Sequence, residues 1–113
     1  MNTVAKGSRI ERKAEEMLKK QGHLTYRAKR TKFNSIDIFG FDIIAMSADS
    51  IKLVQTKSSV VTKKVLQTLL EIKCPPCVSK EVWLHEDRKG FTKIYFLTGD
   101  TIIKRDFNET QGY

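Results

Sequence analysis

Two short apolar runs decide how this chain folds: Phe39-Gly40-Phe41-Asp42-Ile43-Ile44-Ala45-Met46 and Ile51-Lys52-Leu53-Val54-Gln55-Thr56-Lys57. Both are rich in β-branched and aromatic residues and bounded by turn-forming residues, which predicts two strands joined by a polar turn. Asp42 is an isolated acid in the first run. Burying a lone carboxylate is costly unless a cation accompanies it, so we expect a metal ion or a lysine as its partner.

Side-chain alternation indicates where that partner lies. Gln55 and Lys57 share one face of the second strand, and one register of the two strands places Asp42 beside them. An acid, a neutral oxygen ligand and an ammonium around one point suit a magnesium-dependent phosphodiesterase. The metal ion can lower the pKa of its water and neutralise charge developing on the phosphate, and the lysine adds a second positive group.

The bulk properties of the chain point to one small domain with a polyanionic partner. Its 113 residues fit a single domain spanning 1–113, and 40% hydrophobic and 30% charged residues are typical of a globular protein. The amino terminus lacks the apolar core of a signal peptide, so we expect a cytoplasmic protein. The net charge of +8 favours a nucleic acid as partner.

The remaining periodicities predict an α/β fold in which two helices flank a mixed central sheet. Apolar residues at helical spacing, followed by Gly22, predict a first helix. A second helix is expected to open at Ser58-Ser59 and to stop before Pro75. Two or three strands follow it, so the expected order is α-β-β-β-α-β-β, with a third strand at the end as the alternative. The predicted helices cover residues 4–21 and 58–73, and the predicted strands cover residues 23–28, 39–46, 51–57, 80–85, 93–98 and 101–107.

Four segments together resemble the PD-(D/E)xK nuclease superfamily, and within it the archaeal Holliday junction resolvases and related small phage or archaeal nucleases. They are Lys6-Gly7-Ser8-Arg9-Ile10-Glu11-Arg12, Tyr26-Arg27-Ala28, Asp42-Ile43-Ile44-Ala45 and Gln55-Thr56-Lys57-Ser58. They span about the first half of the chain. The resemblance implies a restriction-endonuclease-like fold.

The resemblance also implies roles for individual residues. Asp42 and Gln55 would ligate magnesium, for which manganese can substitute; Lys57 would position or activate the attacking water, and Glu11 would support a metal-bound water from the first helix. Position 55 departs from the family pattern, which most often has an acid there. An amide oxygen can still coordinate magnesium, but we expect it to hold the ion more weakly.

A basic segment leads towards this site and is expected to bind DNA phosphates. It comprises Arg27, Lys29, Arg30 and Lys32, with Ser35 as the nearest candidate for the serine that assists the chemistry in the resolvases.

Each candidate residue also has a structural explanation. Asp42 can be a strand-end acid paired with Lys57, Lys57 an exposed strand terminus, and Gln55 a half-buried amide bonded to the backbone. Ser8-Arg9-Ile10-Glu11 forms a capping box if the first helix begins at Ser8, whereas an earlier start leaves Glu11 facing the sheet.

We therefore expect a metal-dependent endodeoxyribonuclease, with branched or Holliday-junction DNA as the favoured substrate. A homodimer would account for two symmetric cuts. The alternative is a non-catalytic nucleic-acid-binding module that retains the fold, and a third interpretation is an enzyme that cuts single strands or RNA.

Overall fold

The computed structural model describes residues 3–28 and 39–107, which form a six-stranded sheet with two helices. The strands lie side by side in the order of the chain; β3 and β4 are parallel and all other neighbours are antiparallel. The second helix connects the parallel pair. The elements are α1 (Thr3–Lys20), β1 (Leu24–Arg27), β2 (Ile43–Met46), β3 (Ile51–Ser58), α2 (Lys63–Leu70), β4 (Val78–Glu86), β5 (Gly90–Thr98) and β6 (Thr101–Asp106).

The end of α1 agrees closely with the prediction from the sequence. Gly22 has a φ of 92°, a left-handed conformation that glycine adopts without steric cost. The N–H of His23 donates to the carbonyl of Leu18 at 3.1 Å, and the N–H of Gly22 donates to that of Lys19 at 3.0 Å. These two bonds form a Schellman motif, which turns the chain directly into β1.

The strand β2 begins later than its apolar run predicts. Phe39 and Gly40 have φ angles of 52° and 83°, which are incompatible with extended structure. A Cβ added at Gly40 would lie 3.0 Å from Leu69 Cδ2, so the chain passes very close to α2 here. The regular strand therefore begins only at Ile43, although Phe41 already forms an isolated bridge to the sheet, and Asp42 lies just ahead of the strand.

The predicted start of α2 was wrong. The strand β3 continues to Ser58, and Ser59 has a φ of 75°, so neither serine opens a helix. Instead Thr62 caps α2: its side-chain oxygen accepts a hydrogen bond from the N–H of Val65 at 3.2 Å.

Each helix covers one face of the sheet with its own apolar cluster. On the α1 side, Ile10, Ala14 and Leu18 pack with a group that includes Val54 and Trp83. On the α2 side, the cluster comprises Phe41, Leu53, Leu66, Leu69, Leu70, Val82, Leu84, Tyr95 and Leu97. Neighbouring residues of β3 thus point to opposite helices, as expected for a central strand buried on both faces.

A buried lysine fixes the end of α2 to β4. Lys80 is 7% exposed, and its ammonium donates to the carbonyls of Leu69, Leu70 and Ile72 at 2.8, 3.0 and 2.6 Å. Leu69 and Leu70 are the last residues of α2, and Ile72 lies just beyond its end, where helix carbonyls need partners from outside the helix. Burial lowers the pKa of Lys80, with a smaller raising effect from Cys74. The side chain thus replaces a C-terminal cap.

Within residues 3–28 and 39–107, neither helix is long and apolar enough to cross a membrane.

Candidate active site at the end of strand β3

Asp42 is held rigidly between two strands. Its N–H donates to the carbonyl of Val54 at 3.0 Å, and its own carbonyl accepts from the N–H of Ala28 at 2.7 Å. The residue is 3% exposed. The backbone is thereby tied to β3 on one side and to the end of β1 on the other, which fixes where the carboxylate can reach.

The carboxylate of Asp42 is bound by Thr56, a residue that sequence reasoning did not select. The backbone N–H of Thr56 donates to Asp42 Oδ2 at 3.0 Å, and its hydroxyl donates to the same oxygen at 3.2 Å. The signal in the sequence was a hydroxyl-bearing residue between Gln55 and Lys57, at a position where an apolar side chain would suit a buried strand. Thr56 therefore orients the acid from β3 through both its backbone and its side chain.

The side chain of Gln55 also reaches Asp42. In the orientation that satisfies its neighbours, the amide nitrogen donates to the carbonyl of Gly40 at 2.9 Å and to Asp42 Oδ2 at 3.2 Å. The interpretation of Gln55 as an amide bonded to the backbone thus describes one of these two contacts, and the other joins it to the acid.

Three of the four candidate residues line one open polar cavity between the start of α1 and the end of β3. The cavity has a volume of about 240 Å³ and is lined by Gly7, Ile10, Glu11, Gln55, Thr56, Lys57 and Ser58. Asp42 lies directly behind its wall, hydrogen-bonded to Thr56 and Gln55. The structure therefore brings Glu11, Gln55 and Lys57 together, with Asp42 adjacent.

Glu11 reaches this cavity because α1 begins well before Ser8. The helix starts at Thr3, so Ser8 is an interior residue and the capping-box interpretation is wrong. Glu11 is 3% exposed and lies on the flank of α1 that faces the end of β3. Because Glu11 lies in the interior of α1, the helix backbone fixes where its carboxylate sits in the cavity wall.

Arg27 is attached to the same region of α1. Its guanidinium Nη1 donates to the carbonyl of Ser8 at 3.1 Å, and its side chain is half-buried. This contact joins β1 to α1 next to the cavity and leaves other guanidinium donors for a ligand. The other residues of the expected DNA-binding segment, Lys29, Arg30, Lys32 and Ser35, lie outside the described residues.

The oxygen donors of this site are mixed in type. Across residues 3–28 and 39–107, no group of three His, Cys, Asp or Glu side chains is placed to hold a metal ion. Two carboxylates, Asp42 and Glu11, are accompanied instead by the Gln55 amide and the Gly40 carbonyl. Hard oxygen donors of this kind suit magnesium or manganese rather than zinc.

The fold is similar to that of a known resolvase. No protein-family model matches the chain, and no curated protein matches it. Among solved structures, the 1.6 Å structure of Hjc, a Holliday junction resolvase from the archaeal hyperthermophile Archaeoglobus fulgidus, aligns with a TM-score of 0.61 over 88% of each chain. The two sequences are 16% identical over that alignment. The likeness confirms the predicted α/β restriction-endonuclease-like fold.

Proposed function

We propose that this chain is a magnesium-dependent endonuclease that hydrolyses DNA phosphodiester bonds at the cavity between α1 and β3. The observation that carries the proposal is the convergence of Glu11, Gln55 and Lys57 on that cavity, with Asp42 hydrogen-bonded to its wall. An ammonium, a carboxylate and an amide at one polar opening, with a second carboxylate behind its wall, form a suitable site for phosphodiester hydrolysis. The fold shared with a resolvase supports the same activity.

Each side chain has a distinct part in this proposal. Lys57 is half-buried in the cavity wall and can hold the attacking water or stabilise charge on the phosphate. Glu11 can accept a hydrogen bond from that water. Asp42, oriented by Thr56, would hold the metal ion together with Gln55. When bound, the ion would act as a Lewis acid towards the phosphate.

The contacts of Gln55 support a role for this amide at such an ion. One polar atom of its amide lies 2.9 Å from the Gly40 carbonyl oxygen and 3.2 Å from Asp42 Oδ2. When the amide nitrogen occupies that position, it donates two hydrogen bonds. When the amide oxygen occupies it, this oxygen faces the Gly40 carbonyl oxygen and Asp42 Oδ2, and the three repel one another unless a cation lies between them. We therefore expect the amide to turn over when magnesium binds.

The substrate we propose is DNA, with branched or four-way-junction DNA favoured. The net charge of +8 supports a polyanionic substrate, and the resolvase with the same fold acts on Holliday junctions. Cutting two symmetric strands requires two active sites, so this substrate goes together with a homodimer. The cytoplasmic location expected from the sequence stays a prediction.

The test is cleavage of supercoiled, linear, flapped and four-way-junction DNA with magnesium, manganese or EDTA. We expect cleavage with either metal, none in EDTA, and the fastest reaction on the junction. Asp42→Asn and Lys57→Met should abolish cleavage, whereas Lys64→Met, which changes an exposed lysine on α2, should not. DNA binding in EDTA should be nearly unchanged in Asp42→Asn and Lys64→Met, whereas Lys57→Met, which removes a cation from the proposed phosphate site, should weaken it.

Three results would replace the proposal. Tight DNA binding without cleavage in any metal would favour the non-catalytic binding module. Faster cleavage of RNA or of single strands than of duplex or branched DNA would favour an enzyme that acts on those substrates. Cleavage that persists in EDTA would overturn the metal mechanism.

A further inference from the structure

His85, near the end of β4, is a buried histidine with two unsatisfied ring nitrogens. The residue is 8% exposed, and within the described part of the chain neither Nδ1 nor Nε2 has a hydrogen-bond partner. Its ring packs edge-on against Phe91, with centroids 5.2 Å apart. Buried polar atoms are normally bonded, so this histidine lacks the partner that its surroundings should provide.

Two surface cavities meet at His85, and basic residues of α1 line both. One, of about 100 Å³, is lined by Lys6, Arg9, Ile10, Lys13, His85 and Asp87. The other, of about 200 Å³, is lined by Lys13, Glu16, Met17, Lys20, His85, Gly90 and Phe91. The histidine thus forms the shared floor of a groove between α1 and the turn that joins β4 to β5.

The basic residues of this groove belong to one flank of α1. At 3.6 residues per turn, Lys6, Arg9, Lys13 and Lys20 fall within a sector of about 60°. Glu11 lies on the other flank, facing the proposed active site. Ile10 lines both the small groove cavity and the active-site cavity, so the two openings adjoin across the helix.

We propose that this groove is a second phosphate-binding site, in which backbone phosphates of the bound DNA strand contact Lys6, Arg9 and Lys13 and accept a hydrogen bond from His85. The inference rests on the proposed function for the identity of the strand. Its geometry is independent of the active site, since none of these four side chains belongs to the proposed catalytic group. A strand that continues from the active-site cavity around α1 would enter the groove at Ile10.

The acids of the groove do not cancel its charge. Asp87 forms an ion pair with Lys6, at 3.1 Å, and Glu16 lies in the larger cavity. With Lys6 and Asp87 set aside as a pair, the groove has three positive side chains, Arg9, Lys13 and Lys20, and one negative side chain, Glu16. A phosphate would thus enter a groove with a net positive charge.

His85 can donate a hydrogen bond to an anion even in its neutral form. Burial lowers its pKa, Lys13 and Lys6 lower it further, and Asp87 opposes them. A neutral imidazole still has one N–H to donate. A phosphate beside the ring would favour the protonated form and add a second donor, so DNA binding should raise the pKa of His85.

The test measures binding of a short fluorescent DNA duplex in EDTA by anisotropy, over a series of salt concentrations. We expect Arg9→Gln and Lys13→Gln each to reduce the slope of log affinity against log salt by about one. The control is Lys19→Gln, an exposed lysine on the same helix but outside the groove, which should leave the slope unchanged. His85→Phe, which keeps a ring against Phe91, should weaken binding with no change in net charge at neutral pH.

A second measurement follows the His85 ring signals by NMR against pH, with and without the duplex. A raised pKa in the complex is expected. The inference would be overturned if Lys13→Gln and Lys19→Gln gave equal slopes of log affinity against log salt and the pKa of His85 did not move on binding. Cleavage by the wild-type protein would then still support the proposed function. Reduced slopes with no cleavage in any metal would overturn the proposed catalysis and leave the groove in place.

Discussion

Thr56 donates two hydrogen bonds to a single oxygen of Asp42, from its backbone N–H at 3.0 Å and from its hydroxyl at 3.2 Å. Both residues are buried, so their burial limits competition from solvent for that oxygen. The second carboxylate oxygen is thereby given a fixed direction. Thr56 is consequently a positioning residue for the proposed metal ligand, although it is not itself expected to contact the ion.

Thr56→Val should lower cleavage by more than it lowers stability. The substitution removes the hydroxyl and keeps both the branched shape and the backbone donor. We expect a loss of about 1–2 kcal/mol in unfolding free energy, measured by urea denaturation, and a higher magnesium concentration for half-maximal cleavage. Thr56→Ser retains the hydroxyl and is the control. An unchanged magnesium midpoint in the valine variant would show that the hydroxyl does not position Asp42.

Gln55→Glu should make stability depend on magnesium. Without metal, the glutamate loses the two hydrogen bonds that the amide donates and sets a second carboxylate beside Asp42, so the melting temperature should fall. With magnesium, the added anionic oxygen should tighten binding and saturate cleavage at a lower concentration. Thermal unfolding with magnesium and with EDTA measures the first effect, and a magnesium titration of cleavage measures the second. Identical midpoints for variant and wild type would exclude Gln55 from the metal site.

Glu11→Gln should reduce cleavage by about ten- to a hundredfold, as for loss of an outer partner of a metal site. The shape of the side chain is kept, so near-normal thermal stability is expected. Glu15→Gln is a matched control one turn later, where the carboxylate accepts a hydrogen bond from the Thr25 hydroxyl at 2.9 Å. Equal cleavage rates for the two variants would return Glu11 to a purely structural role.

His85 should make the protein less stable in mild acid. Since burial lowers its pKa below the ordinary 6.5, the unfolded chain binds a proton at a pH where the folded protein does not. Unfolding free energy should therefore fall as the pH drops below about 6.5 and level off below the folded-state pKa. Urea midpoints between pH 8 and 5 should decline more in wild type than in His85→Phe. Parallel declines would show that His85 does not titrate differently in the two states.

The positions of Asp42 and of strand β3 could be predicted from the sequence, and the roles of the site residues stay predictions. The isolated Asp42 in an apolar run and the alternation of Gln55 with Lys57 depend on local chemistry and on a period of two, which a single sequence displays directly. The end of α1 could also be predicted, because Gly22 supplies the left-handed conformation of the cap.

Features that depend on distant partners were not predictable in this way. The late start of β2 follows from the close approach of Gly40 to Leu69, and the role of Thr56 follows from the register of β3 against Asp42. Lys80 appeared as an ordinary strand residue, since only the folded chain shows that it caps α2. His85 likewise gains its significance from α1, which lies far away in sequence.

The parallel pairing of β3 with β4 has a consequence for how the binding surface forms. Among the described strands this is the one parallel pair, and it must close over the segment that contains α2. Closing a longer loop costs more chain entropy before its contacts form, so we expect this step to come late in folding. The N–H of Ser59, just beyond the proposed catalytic strand, donates to the carbonyl of His85 at 3.0 Å. The late pairing of β3 with β4 would thus bring the proposed active-site cavity and the proposed phosphate groove together. A folding intermediate that already holds Asp42 beside Thr56 would still lack a continuous path for DNA.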